Sequence, residues 1–330
     1  MSALVVTMRK FYPGVLAAGT VALAATFLAQ HYQAPVMLFA LLIGLAFHFL
    51  HEEGRCRAGI DFAARTILRL GVALLGLRIT FGQMASLGWV PIATVIMGVA
   101  TTIVFGWWLG KKLGLGAHFG LLSGGAVAIC GASAALAIST SLPPYAQKER
   151  DTALTVVGVT TLSTLAMIIY PLIVSALQLT HVEAGVFLGG TIHDVAQVVG
   201  AGYMISPETG DVSTYVKLMR VAVLVPVVVL VSFGLSDGGH TGERIRRAFP
   251  IFLVGFCICV VVNSVMQLPT SLTSFASSVS SFCLVTAIAA LGMKTSFRSL
   301  VDVGWRPVGM MVAETIWIGA LVLAAVWLTR

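Results

Sequence analysis

His193, Asp194 and Glu314 are ionisable residues set inside runs of otherwise apolar sequence. A carboxylate buried in lipid costs several kcal/mol unless it is paired or hydrated, so such groups usually serve ion or proton handling. Asp194 is therefore expected to couple solute movement to an ion gradient, with His193 assisting it and Glu314 as the second carboxylate able to take that role. The competing reading of Asp194 is a structural hydrogen-bond anchor.

Two segments around these residues depart from bulk apolar composition. The first is Ser123-Gly-Gly-Ala-Val-Ala-Ile-Cys-Gly-Ala-Ser133, and the second is Gly189-Gly-Thr-Ile-His-Asp-Val-Ala-Gln-Val-Val-Gly-Ala-Gly202. Glycines beside hydroxyls can unwind a helix and expose backbone N–H and C=O groups, which at membrane depth is tolerated only against protein or water. Ser123, Gly124, Gly125, Cys130, Gly131, Ser133, Gly189, Gly190, Thr191 and Gln197 are the expected substrate-binding residues. The alternative is that small residues here simply let helices pack closely. Arg78 and Lys294 complete the expected substrate set, because Arg suits an oxyanion bidentately and a pair of cations could attract an anion from either side. Each could instead snorkel or offset the negative end of its own helix. Asn263 and Gln267 read as helix-helix contacts. No residue is assigned a catalytic or metal-ligating role, and no cofactor is expected.

The elements that must hold these residues are transmembrane helices. Of 330 residues, 58% are hydrophobic and 10% charged, against about 25% charged in a soluble domain. Apolar runs of the ~20 residues that cross a bilayer recur along the chain. Strict alternation is absent, which argues against a β-barrel. The formal charge of +7 sits in short gaps between apolar runs, a signature of topology rather than of nucleic-acid binding. The five cysteines form no CxxC pair and read as small packing residues. Arg9 and Lys10 before an apolar stretch suggest a signal peptide, but a second span begins at once, so an uncleaved first helix is expected.

The expected spans are 13–30, 34–50, 63–82, 89–110, 117–140, 152–178, 183–205, 214–235, 248–267, 272–294 and 304–328, an all-α polytopic architecture of about 11 helices in one domain, 1–330. With the N-terminus in the cytoplasm, Arg9, Lys10, Arg55, Arg57, Lys111, Lys112, Arg244, Arg246, Arg247, Arg298 and Arg306 fall inside, and Lys148, Arg150, Lys217 and Arg220 outside.

An internal repeat organises the chain. Ala73-Leu-Leu-Gly-Leu-Arg-Ile-Thr-Phe81 matches Ala289-Ala-Leu-Gly-Met-Lys-Thr-Ser-Phe297, and the same offset of 216 carries Gly88-Trp89 onto Gly304-Trp305 and Pro91 onto Pro307. Upstream, Pro35-Val-Met-Leu38 aligns with Pro250-Ile-Phe-Leu253 at an offset of 215. The chain thus reads as repeat 1 over 13–110, Gly-rich central segments over 117–206, and repeat 2 over 214–330. An odd number of crossings between equivalent helices makes the repeats inverted, the arrangement that lets two halves exchange inward-open and outward-open states around a midplane site.

Leu68 to Thr80, Gly124-Gly125 with Cys130-Gly131-Ala-Ser133, Gly190-Thr-Ile-His-Asp-Val-Ala-Gln197 and Leu291-Gly-Met-Lys294 resemble the YeiH-like family of bacterial inner-membrane proteins, often called sulfate exporters. The resemblance implies a multi-pass inner-membrane transporter. More distantly the layout resembles sodium/proton antiporters, bile-acid symporters and auxin carriers, whose discontinuous helices cross near the bilayer centre; this sequence departs from them in lacking prolines in its two Gly-rich segments.

The expected function is secondary active transport of a small anion such as sulfate, sulfite or a sulfonate, by alternating access coupled to protons or sodium. Cation/proton antiport is the alternative. No ATP-binding loop or HExxH motif is present in the sequence, so the chain is not expected to be an enzyme or an ATP-driven pump. The expected partners are an ion or small-molecule substrate and the lipid bilayer, with no nucleic acid; a homodimer is an open assembly.

Overall fold

The computed structural model describes residues 3–52, 54–235, 249–266, 268–295 and 304–329, and among them all regular structure is helical. Arg244, Arg246, Arg247, Gln267 and Arg298 lie outside the described residues. In chain order the helices are α1 (Ala3–Tyr32), α2 (Val36–Ala46), α3 (Phe49–Glu52), α4 (Arg57–Phe62), α5 (Leu68–Leu75), α6 (Phe81–Ser86), α7 (Val90–Lys112), α8 (Ala117–Ala128), α9 (Ala132–Ser141), α10 (Lys148–Ala176), α11 (His181–Thr191), α12 (Val195–Ile205), α13 (Pro207–Ala222), α14 (Leu224–Leu235), α15 (Ile251–Val265), α16 (Thr270–Lys294) and α17 (Trp305–Leu328).

Six of the described helical stretches are long and apolar enough to cross a membrane: Arg9–Tyr32, Val90–Lys112, Lys148–Ala176, Pro207–Phe233, Thr270–Lys294 and Trp305–Leu328. Shorter apolar helices fill out the rest. The chain is a polytopic α-helical membrane protein.

Local chemistry sets the boundaries. The span expected over 63–82 is not one helix: a π-turn, Ala63–Ile67, joins α4 to α5, and α6 follows as a separate short helix. A π-turn shifts the register of the side chains that follow it, which a pattern based on 3.6 residues per turn does not show. The span expected from 214 begins earlier because Pro207, at the first helical position, loses no internal hydrogen bond there. The spans expected over 117–140 and 183–205 are each two half-helices.

The chain divides into two compact units. One comprises 1–86, 199–211 and 251–296; the other comprises 87–198, 212–250 and 297–330. The division runs through α12 and α13. The first unit holds α1 to α6 with α15 and α16; α16 packs on α2, and α15 on α5. The second holds α7 to α11, most of α13, α14 and α17; α7 packs on α8 and α17, and α11 on α17.

Packing in the first unit follows the repeat. A Cβ added to Gly292 would lie 2.5 Å from the Leu41 carbonyl oxygen, and one added to Gly76 would lie 2.4 Å from that of Phe256. Gly76 corresponds to Gly292 at the offset of 216, and Leu41 to Phe256 at 215. Exchanging the repeats turns one close helix contact into the other.

Candidate functional site

The second unit contains two broken helices whose breaks touch. At the end of α8, Ile129 leaves helical geometry (φ −109°, ψ −83°), and Gly131 turns the chain with φ 63° and ψ −126° before α9 begins. That positive φ is a conformation glycine adopts without the clash a Cβ brings. At the end of α11, Ile192 is extended (φ −60°, ψ 138°), and α12 resumes at Val195. A Cβ on Gly131 would sit 3.7 Å from Asp194 Cβ and 3.8 Å from the carbonyl carbon of His193.

Each break leaves the last carbonyls of a half-helix without partners inside the helix, and these carry the negative end of its dipole. Two buried cations of α13 answer them. Lys217 Nζ donates to Ile129 O at 2.6 Å and to Ile192 O at 2.9 Å. Arg220 donates from Nε to Ala128 O at 2.8 Å, from Nη2 to Val127 O at 2.7 Å, and from Nη1 to both Gly189 O and Ile192 O at 3.1 Å. Lys217 is 0% and Arg220 1% exposed. Lys217 also interacts electrostatically with Asp194 and Cys130.

Consequently the C-terminal ends of α8 and α11 are neutralised, and the N-terminal ends of α9 and α12 leave the same place with their positive poles toward it. Counted formally, Lys217 and Arg220 against Asp194 leave a surplus of positive charge. Ser133 is exposed, and Ala132 and Asp194 are half-buried. These three positions are the accessible side of an otherwise buried cluster.

A family model described as conserved hypothetical protein 698 matches residues 13–311. A UPF0324 membrane protein of Chlorobaculum tepidum is 54% identical over 324 residues, covering 97% of this chain and 90% of that one. The chain belongs to the UPF0324 family of membrane proteins. Its relative in Paracoccus pantotrophus, the UPF0324 membrane protein TauZ, is 48% identical over 97% of this chain and 96% of its own. A third, from Rhizobium meliloti, is 46% identical over 98% and 94%. No solved structure matches.

The other sequence-predicted residues of this UPF0324 chain divide into those at the breaks and those elsewhere. Cys130, Gly131, Ser133, His193 and Asp194 lie at the breaks. His193 is fully buried, with Nδ1 3.2 Å from Val127 O and Nε2 3.0 Å from Thr315 Oγ1. The Asp194 backbone N–H donates to Ser163 Oγ at 3.0 Å. Gln197, in the first turn of α12, donates to Thr164 Oγ1 at 3.3 Å.

Gly124, Gly125, Gly189 and Gly190 allow close packing, and the Gly189 carbonyl also takes Arg220. Their added Cβ atoms would meet Thr102 O at 3.0 Å, Ile138 Cδ1 at 2.2 Å, Ser213 O at 2.4 Å and Val322 Cγ1 at 2.8 Å. Thr191 bonds back to Phe187 O at 2.6 Å, within its own helix. Ser123 donates to Glu314 Oε1 at 2.9 Å, away from the breaks.

Arg78 and Lys294 belong to the first unit. Arg78 faces Asp211 at 3.6 Å and stacks over Tyr203, which bonds to the same carboxylate. Lys294 pairs with Asp61 at 2.8 Å. Each is tied to its own carboxylate. The cations at the breaks are Lys217 and Arg220, which the topology count had placed on the external side. The signal that could have found them is a polar stripe: Thr209, Ser213, Lys217 and Arg220 recur at helical spacing on α13, and all are buried.

Proposed function

We propose that this chain is a secondary active transporter of a small anion, of the class of sulfate, sulfite or a sulfonate, working by alternating access in the bacterial inner membrane with its N-terminus in the cytoplasm. The observation that carries the reading is the meeting of two helix breaks whose carbonyl ends are neutralised by Lys217 and Arg220. With those ends balanced by the cations, the first-turn N–H groups of α9 and α12 are left to set the field at the break, and they suit an oxyanion. Irregular backbone at membrane depth is tolerated where it lines a binding cavity. Broken helices with opposed poles are a recurring way to hold an ion between gates.

Flux into liposomes containing the purified protein tests this, with labelled sulfate, sulfite and taurine as the panel. Uptake of at least one, competed by the others and lost in Lys217→Met, is expected. The reading falls if none of the anions moves while a sodium or potassium gradient is dissipated in exchange for protons. That result would assign cation/proton antiport to the same site.

A further inference from the structure

Glu314 lies outside the anion cluster and is unusually placed. It sits in the middle of α17, fully buried, where α17 packs against α7 and α8. Ser123 Oγ donates to its Oε1 at 2.9 Å, while Oε2 is buried and has no hydrogen-bond partner among the described residues. The wall opposite is Gly106, where an added Cβ would come within 2.5 Å of Oε1. One turn earlier on α7, the buried hydroxyl of Thr102 also has no partner.

The titratable groups on the packed elements are placed elsewhere. Lys111 and Lys112, at the end of α7, lie over Trp107 and Trp108. His118 of α8 stacks on Tyr145. Glu183, in the first turn of α11, caps that helix with Thr180, and His181 begins it. On α10, Lys148, Glu149, Arg150 and Asp151 are confined to the first turn, and the Tyr170 ring packs on Phe187. His193 is held by Thr315, the residue after Glu314. Among the described residues no cation forms an ion pair with Glu314.

An ionised carboxylate with one hydroxyl donor and no cation is costly in such a place. A neutral acid fits it, with its own proton on the buried oxygen. We infer that Glu314 carries the coupling proton of the transport cycle: it takes a proton from water on one side of the membrane, holds it while α7, α8 and α17 are closed around it, and releases it to water on the other side. The inference rests on the transport reading above.

Its link to the anion site is built of short steps. Ser123 lies one turn before Val127, whose carbonyl takes Arg220 and faces His193. Thr315, next to Glu314, holds the other nitrogen of His193. Ionisation of Glu314 would therefore pull on the last turn of α8 and on the second break together.

Two measurements test it. Infrared spectra of the wild-type protein should contain the carbonyl stretch of a protonated carboxylic acid that Glu314→Gln removes, a readout that needs no substrate. In liposomes, Glu314→Gln should lose accumulation of the panel anions driven by a pH gradient while retaining exchange of labelled for unlabelled anion. The inference is overturned if the band survives in Glu314→Gln, if that variant still accumulates anion as wild type does, or if the variant loses a sodium-driven uptake instead. If wild type moves none of the anions, the transport reading fails, while the infrared band still decides whether Glu314 holds a proton. Should Glu314→Gln not fold, Ser123→Ala must shift the same band by removing its hydrogen bond; an unshifted band overturns the assignment.

Discussion

Arg220 directs its guanidinium to four backbone carbonyls on two half-helices. Removing one partner from a buried charged network is expected to cost about 3–5 kcal/mol, because the groups left behind remain out of water. Arg220→Ala should accordingly lower the melting temperature of the purified protein sharply. Arg220→Lys should lower it less, since an ammonium keeps the charge but cannot reach across both breaks as a planar fork does. Arg78→Ala provides the contrast: its ion pair is part-exposed and should be worth about 0–1 kcal/mol. Equal melting of the Arg220 and Arg78 variants would refute the capping role. The break residues themselves were legible in the sequence, because His193 and Asp194 interrupt an apolar run. Lys217 and Arg220 were not, because a charge count assigns a cation near a gap to the water side. Only the burial of the whole Thr209, Ser213, Lys217 face shows that α13 turns its polar stripe inward.

At the scale of elements, the reach of those cations depends on how closely α13 approaches α11. Gly185 and Gly189 lie one turn apart on the contact face: their added Cβ atoms would meet Val212 Cβ at 2.6 Å and Ser213 O at 2.4 Å. Small residues spaced this way let membrane helices approach backbone to backbone. Gly189→Ala should force α13 outward and cost about 1–3 kcal/mol, the range for overpacking a well-filled interface. Gly19→Ala should do the opposite. Gly19 lies within α1 with nothing inside 4 Å of an added Cβ, so the substitution gains roughly 0.5–1 kcal/mol of helix propensity. Thermal melts of the two variants must move in opposite directions from wild type. This also explains why the sequence could not separate the glycines. Gly131 makes a break through its positive φ, while Gly124 and Gly189 make contacts, and a glycine is the same letter in both roles.

For the whole molecule, the repeat and the charge distribution lead to one arrangement. Gly292 on Leu41 and Gly76 on Phe256 are the same contact seen from the two repeats, and α7 packs on its own counterpart α17. If α8–α9, α10, α11–α12, α13–α14, α15 and α16 each cross once, α17 is the seventh crossing after α7 and runs in the opposite direction. The continuous apolar stretch Pro207–Phe233 supports counting α13 and α14 as a single crossing. Lys217 and Arg220 are buried, so neither belongs in a count of charges in the water-facing gaps. The expected topology then sets Arg9, Lys10, Arg55, Arg57, Lys111, Lys112 and Arg306 inside against Lys148 and Arg150 outside. Reporter fusions after Lys112 and after Arg330 should therefore read opposite sides, cytoplasmic for the first and external for the second. Two cytoplasmic readings would mean that a broken helix re-enters instead of crossing; α7 and α17 would then run parallel, and the exchange of inward-open and outward-open states by inverted halves could not operate in this chain.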